Sequence, residues 1–266
     1  MSYTALLYEK TGRIAVVTIN RPKARNAWSD QLNKDMVGVF AEMEADPDIL
    51  VTILTGNQAG KAFSAGADIA NPKTHSTQSV GEELARITPR GMDVFNAVAD
   101  FPKPVICAIN GYALGVAFQV ALCCDILIAS ENAEMGLPQV SLGILPIYGG
   151  AVRLARFVGR GNAMRMVLTA ERITAQEAYR IGLVSQVVPL PELMPTTINL
   201  ARKIAALPPL SIRLAKESLN MGLDISSVKQ AAQADLYRFL ALTLTEDKEE
   251  SHRAWREKRP PVLKGR

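Results

Sequence analysis

The sequence predicts an α/β architecture that gives way to a helical region at its C-terminal end, and three observations predict it. Short β-rich runs recur as far as Val188, and helical periodicity fills the gaps between them. Beyond Gly150 helical patterns dominate. The third observation is the stretch from residue 105 to 124, which has the length and apolar character of a membrane span but carries turn residues inside it.

The β-rich runs are Ile14 to Asn20, Leu50 to Thr55, Val105 to Asn110, Ile126 to Ala129 and Val184 to Val188. Ser29 has the chemistry of a helix N-cap, and Leu32, Met36, Val39, Phe40 and Met43 after it share one face, so a helix is expected over 29–45. A second is expected over about 80–99. In VICAINGYALGVAFQVALCCD, residues 105–125, Pro102 and Pro104 disfavour a helix at the start, Asn110-Gly111 is a turn dipeptide, and β-branched residues cluster before that turn. This reads as strand, tight turn, then buried helix from about Gly115 or Val116. The first turn of such a helix leaves free N–H groups and a positive dipole end above the turn, a setting suited to negative charge. Later helices are expected near 160–169, 174–181, 191–206, 209–221 and 224–257. The division implied is a core over 1–199 that carries the site and a helical region over 200–266.

With 266 residues, 48% of them hydrophobic, the chain can bury a large core. The N-terminal MSYTALLYEKTG mixes acid, base and turn residues, so no export signal and a cytoplasmic location are expected. Cys107, Cys123 and Cys124 all fall in the apolar stretch without metal-ligand spacing and read as buried thiols. From Arg253 to Arg266 there are six bases and one acid, and removing them from the 30 bases and 26 acids of the chain leaves 24 against 25. The body is neutral and the tail basic. Such a tail suits a solvated end or a clamp on a phosphorylated ligand; no basic stripe interleaved with aromatics supports nucleic acid.

Several motifs fail on inspection. TGNQAGKA at 55–62 has too short a glycine spacing for a phosphate loop, and Ala62 stands where a hydroxyl is needed. A serine-hydrolase triad needs a histidine base, and the two histidines, His75 and His252, sit in a polar loop and the charged tail. Nothing resembles a metal site. More telling is KAFSAGADI at 61–69, where Ser64, Ala65, Gly66 and Ala67 follow a β-rich run and would let a ligand touch backbone. With ALGVAF at 113–118, it makes two glycine-bearing turns that could each offer an N–H to one oxygen. Two such donors form an oxyanion hole.

These residues resemble the crotonase, or enoyl-CoA hydratase/isomerase, superfamily. The resemblance runs through INRPKARNAWS at 19–29, FSAGADI at 63–69, FPKPVICAINGYALG at 101–115, CDILIAS at 124–130, LPQVSLGILP at 137–146, ITAQEAYRIGLVSQVV at 173–188 and EKRPP at 257–261. It implies a spiral of ββα turns with a C-terminal helical region, assembly as a homotrimer or homohexamer, and an acyl-CoA thioester as substrate, with no permanently bound cofactor and no membrane or nucleic-acid partner. By position it implies that the N–H groups of Ala67 and Val116 form the oxyanion hole, valine standing where glycine is usual. It places coenzyme A on backbone near Lys23, Arg25, Ala65 and Ile69, with Lys258 reaching the nucleotide phosphates.

One departure matters. Hydratases of the family use two glutamates, and the matching positions hold Gln119 and Gln139, while the position after Pro146, acidic in other branches, is Ile147. A primary amide does not take up or release a proton near pH 7, and each positioned carboxyl typically contributes about 100- to 10,000-fold. Ordinary hydration of a simple enoyl-CoA is therefore expected to be poor. Tyr148 is a candidate proton donor to an enolate, against the plainer reading of a half-buried packing tyrosine. Glu82, Glu83 and Arg86, on the second helix, are candidates of the same kind against the plainer reading of a solvated face. The expectation is an enolate-stabilising lyase or isomerase of fatty acid metabolism. Its alternatives are a decarboxylase or C–C lyase acting on a β-carboxyl or β-keto acyl-CoA, and a non-catalytic acyl-CoA-binding protein.

Overall fold

The computed structural model describes residues 3–68, 79, 81–82 and 93–266. Among these residues ten strands form two sheets. The larger sheet has the order β1 (Leu6–Thr11), β2 (Ile14–Ile19), β3 (Val51–Gly56), β5 (Val105–Ile109), β7 (Ile126–Ser130), β10 (Gln186–Val188); only β1–β2 is antiparallel. The smaller one has the order β4 (Ala62–Ser64), β6 (Tyr112–Leu114), β8 (Glu134–Gly136), β9 (Ile173–Thr174), with β4–β6–β8 parallel. From β3 to β8 the chain alternates between sheets, one strand in each, which is the spiral the sequence resembles.

Nine helices are described among these residues: α1 (Asp30–Ala45), α2 (Asp93–Ala99), α3 (Val116–Ala121), α4 (Gly150–Thr169), α5 (Ala175–Arg180), α6 (Leu190–Ala205), α7 (Pro209–Gly222), α8 (Val228–Thr243) and α9 (Glu246–Glu257). Helix α1 starts where expected, the Ser29 hydroxyl accepting from the Leu32 N–H, and buries Leu32, Met36, Val39, Phe40 and Met43. Of the expected 80–99 helix, Gly81 and Glu82 are helical and exposed and the end forms α2, while Glu83 and Arg86 lie outside the described residues.

The membrane-span-like stretch resolves into β5, a turn at Asn110-Gly111, β6 and α3. Its hydropathy comes from burial on both faces of the larger sheet. Cys107 and Ile109 join the main core with α1 and α3, while Ile106 and Ala108 join Ile53, Ile128, Leu193 and Ala201 under α6. Among the described residues no helix is long and apolar enough to cross a membrane.

The helix expected near 160–169 is present, starting after the non-helical Gly159, and a helical stretch from Gly150 precedes it. Two expectations are corrected. The single helix over 224–257 is two, because the Thr245 side chain accepts from the Lys248 N–H and caps a new start. Strands β1, β4, β6, β8 and β9 were not expected at all. Helices α7 and α8 bury no residue fully, leaving Leu219, Leu223, Val228, Tyr237, Phe239 and Leu244 exposed.

Candidate active site

Strands β4 and β6 lie side by side in parallel, Ser64 opposite Ala113, so the turns that follow them leave the same sheet edge together. Gly66 has φ +98°, and a Cβ there would stand 2.9 Å from the Leu114 carbonyl oxygen, so only glycine lets the first turn close onto the second. On the other side the Trp28 N–H donates to the Gly66 carbonyl at 2.8 Å and the Asp68 N–H donates to the Trp28 carbonyl at 2.9 Å. Those bonds bracket Ala67. Because alternate peptides of an extended segment face opposite ways, the Ala67 N–H points away from Trp28. Val116 is the first residue of α3 after Gly115 (φ 56°), so its N–H precedes any helical acceptor. Among the described residues neither N–H donates to a backbone carbonyl. Ala67 is exposed and Val116 half-buried.

One turn further along α3, Gln119 is buried and bonded at both ends of its amide. Its Nε2 donates to the Ile147 carbonyl, and its Oε1 accepts from Gln139 Nε2 at 2.7 Å. A carbonyl only accepts, so Ile147 fixes the Gln119 amide, which in turn fixes that of Gln139. The direction leaves Gln139 Oε1 buried with no partner among the described residues, and Gln139 Nε2 3.8 Å from a Cβ built at Gly115. Gly150 has no room for a side chain: its Cβ would lie 2.6 Å from Gln119 Cγ. Tyr148 is half-buried, has φ 57°, and stacks on Phe95 with ring centroids 5.0 Å apart. Its carbonyl accepts from Arg153 Nη1 at 2.6 Å.

A cleft of about 360 Å³ opens nearby, lined by Pro22, Lys23, Arg25, Ala59, Gly60, Lys61 and Tyr112. Lys23, Arg25 and Lys61 form no ion pair with a described carboxylate, so three cations face one cavity unneutralised. Sequence reading missed Lys61 and Tyr112; Lys61 immediately precedes the small-residue turn and could have been included on that ground. Ala65 donates its N–H to the Arg25 carbonyl at 3.1 Å and does not line the cleft. Ile69 and His75 lie outside the described residues. Lys258 is exposed, caps α9 in a left-handed conformation, and is not part of the cleft of this chain.

The thiols offer no nucleophile. Burial pushes Cys123 up to about 12, and contact with Cys107 together with burial raises Cys124 well above its ordinary value. No group of acids, histidines and cysteines among the described residues could hold a metal ion.

The sequence model of one family, Enoyl-CoA hydratase/isomerase, matches residues 9–266. The chain belongs to the enoyl-CoA hydratase/isomerase family. It is 43% identical to the short-chain-enoyl-CoA hydratase of Clostridium acetobutylicum, with 97% of each chain covered. It is 39% identical to the crotonyl-CoA hydratase of Syntrophomonas wolfei, again over 97% of each. The crystal structure of enoyl-CoA hydratase from Bacillus anthracis superposes with a TM-score of 0.93 at 33% identity, covering 99% of this chain and all of that one. This member of the enoyl-CoA hydratase/isomerase family is thus an acyl-CoA-processing enzyme with the expected α/β spiral. The hydratase names of such similar chains run against the expectation that Gln119 and Gln139 set it apart from ordinary hydratases.

Proposed function

We propose that the enzyme binds an enoyl-CoA thioester with its carbonyl oxygen between the N–H groups of Ala67 and Val116, and acts through the enolate so stabilised. Addition of water to the β-carbon, or transfer of a proton within the acyl group, pushes an electron pair onto that oxygen; the pair returns when the α-carbon takes a proton, and in hydration the proton lost from the added water replaces the one delivered. The observation that carries this reading is the closure of the Gly66 turn onto the Leu114 carbonyl, with the Ala67 N–H turned away from Trp28 beside the start of α3. Donors so aimed act where charge develops, and each is typically worth about 100- to 1000-fold. The unneutralised Lys23, Arg25 and Lys61 suit the phosphates of coenzyme A, with backbone at Ala65 and Ile69 following the pantetheine and Lys258 reaching the nucleotide from the tail. Tyr148 is the proton donor to the α-carbon. The uncovered apolar residues of α7 and α8 suit assembly as a trimer or hexamer.

Acetoacetyl-CoA tests this directly, because its enolate absorbs in the near ultraviolet and its keto form does not. Appearance of the enolate band on mixing at neutral pH is expected. Tight binding without the band, or no binding of any coenzyme A thioester, overturns the reading.

A second reading rests on one observation, the neutral and mutually committed amides of Gln119 and Gln139. Loss of carbon dioxide from a β-carboxyl acyl-CoA needs an enolate sink and a proton donor but no carboxylate base, which suits this pair. Release of carbon dioxide from malonyl-CoA, with no hydration of crotonyl-CoA, selects it.

A further inference from the structure

The loop Arg21–Trp28 is fastened to the segment Ala65–Asp68 at several points. Three are backbone bonds: Ala65 N–H to the Arg25 carbonyl at 3.1 Å, Trp28 N–H to Gly66 at 2.8 Å, and Asp68 N–H to Trp28 at 2.9 Å. The fourth joins side chains, Arg21 Nη2 donating to Asp68 Oδ2 at 2.8 Å. The same guanidinium donates through Nη1 to the Ala27 carbonyl at 2.5 Å, so one planar fork holds the far end of the loop and the residue after Ala67 together. Beneath it, fully buried Asn26 accepts from the Arg21 N–H at 3.1 Å and donates to the Ala62 carbonyl at 2.8 Å. The start of the loop is thereby tied to β4.

An ion pair with side chains 26% and 20% exposed contributes little to global stability. Its position gives it a different use. Ala67 lies between two fastened residues, Gly66, which is wedged against Leu114, and Asp68. Without the carboxylate, the N–H bond to Trp28 is what remains at the Asp68 end among the described residues, and the Ala67 peptide is freer to rotate.

We infer that Arg21 and Asp68 are a positioning pair that keeps the Ala67 N–H aimed at the thioester oxygen. The inference rests on the oxyanion role proposed above for Ala67. Neither side chain touches the reacting atoms. The same loop carries Lys23 and Arg25, which line the cationic cleft without touching the Arg21–Asp68 pair.

The test uses the full chain with Asp68→Asn and, separately, Arg21→Lys, following the acetoacetyl-CoA enolate band, kcat and KM on whichever of crotonyl-CoA and malonyl-CoA the parent turns over, and equilibrium binding of free coenzyme A. Asp68→Asn is expected to weaken the band and lower kcat roughly 10- to 100-fold, the cost of a small misplacement of an aimed group. Free coenzyme A should bind within about threefold of the parent, because its handle is not the part being misaligned. Arg21→Lys, whose ammonium reaches Asp68 or Ala27 but not both, should fall between. Variants that keep band and kcat overturn the inference, as do variants that lose coenzyme A affinity in step with kcat. If Asp68→Asn does not fold, unchanged Arg21→Lys overturns it alone. A parent enzyme with no enolate band sinks the oxyanion reading instead, so the two failures are distinguishable.

Discussion

The two sides of the candidate pocket are built on different principles. On one side Ala67 and Val116 offer main-chain N–H groups, and any residue other than proline supplies the same donor. On the other, Gln119, Gln139 and Tyr148 offer side chains, and changing the residue type changes the chemistry. The backbone side depends on shape, above all on the absence of a side chain at Gly66. The side-chain side depends on identity. Shape and identity can therefore vary independently, and the Gln119–Gln139 pair puts two groups that do not titrate on the side where identity counts.

The largest effect expected from breaking this contrast comes from Gly66→Val. The new Cβ would meet the Leu114 oxygen at 2.9 Å in a backbone conformation with φ +98°, so the turn has to move and take the Ala67 N–H with it. A loss of about 100- to 1000-fold in turnover is expected, with the enolate band abolished. Ala67→Ser and Val116→Gly keep their N–H groups and should stay within about threefold if the role is purely backbone. Should those two behave like Gly66→Val, side chains matter on both sides and the contrast collapses.

Next in size is Tyr148→Phe. The ring keeps its stacking on Phe95, and the change removes the hydroxyl with whatever bond it makes, so stability is followed alongside turnover. If the phenol protonates the α-carbon, kcat should fall about 100-fold, the low end for a positioned proton donor. Unchanged turnover would return Tyr148 to an ordinary packing role.

Gln119→Glu probes the amide pair. It replaces the Nε2 donor with a carboxyl, whose ionised form sets an oxygen against the Ile147 carbonyl and repels it, while the protonated form keeps an O–H to donate. Burial and the facing carbonyl oxygen favour the protonated carboxyl, which is expected to lower stability by about 1–3 kcal/mol at neutral pH. A folded-state pKa raised above the unfolded value means that this acid costs nothing at low pH and destabilises progressively as pH rises through and above the ordinary glutamate range. Melting temperatures of parent and variant should thus converge toward acid and separate toward neutral pH. Constant separation would show that the loss is one of packing alone.

Much of this was legible in the sequence, for physical reasons. Strand β5 and helix α3 could be read through a span-like stretch because Asn110-Gly111 punctuates it, and α1 because its apolar residues keep a strict helical period behind Ser29. The second sheet was not legible: β4, β6 and β8 are three residues each, too short to show any period. Strand β1 hid behind Glu9 and Lys10, which sit on its exposed edge. The break between α8 and α9 had a signal, a threonine at 245 followed by Glu246 and Asp247, that suits a helix start better than a helix interior. At the site, the two turns announced themselves by their small residues. The commitment of the two glutamines did not, because it is set by the Ile147 carbonyl, a backbone atom 28 residues from Gln119 whose orientation no side-chain pattern records.

The smallest expected effect is one of pH, and it sharpens the contrast from outside the pocket. Neither backbone amides nor glutamines titrate, so turnover should show no acid limb of its own in the carboxylate range. The acid sensitivity of the chain should come from elsewhere. Glu250 is held well below its ordinary 4.5 by Arg259, the Val262 N–H and Arg253, and so fastens the basic tail to α9. A depressed folded value means that this contribution is complete above the ordinary glutamate range and is lost as pH falls below it. Activity and tail docking, followed by the fluorescence of exposed Trp255, should therefore decline together on acidification, and Glu250→Gln should shift both. An acid limb in kcat that appears while the tail is still docked would reveal a titrating carboxyl at the reacting carbons, and the side-chain side of the pocket would then not be neutral.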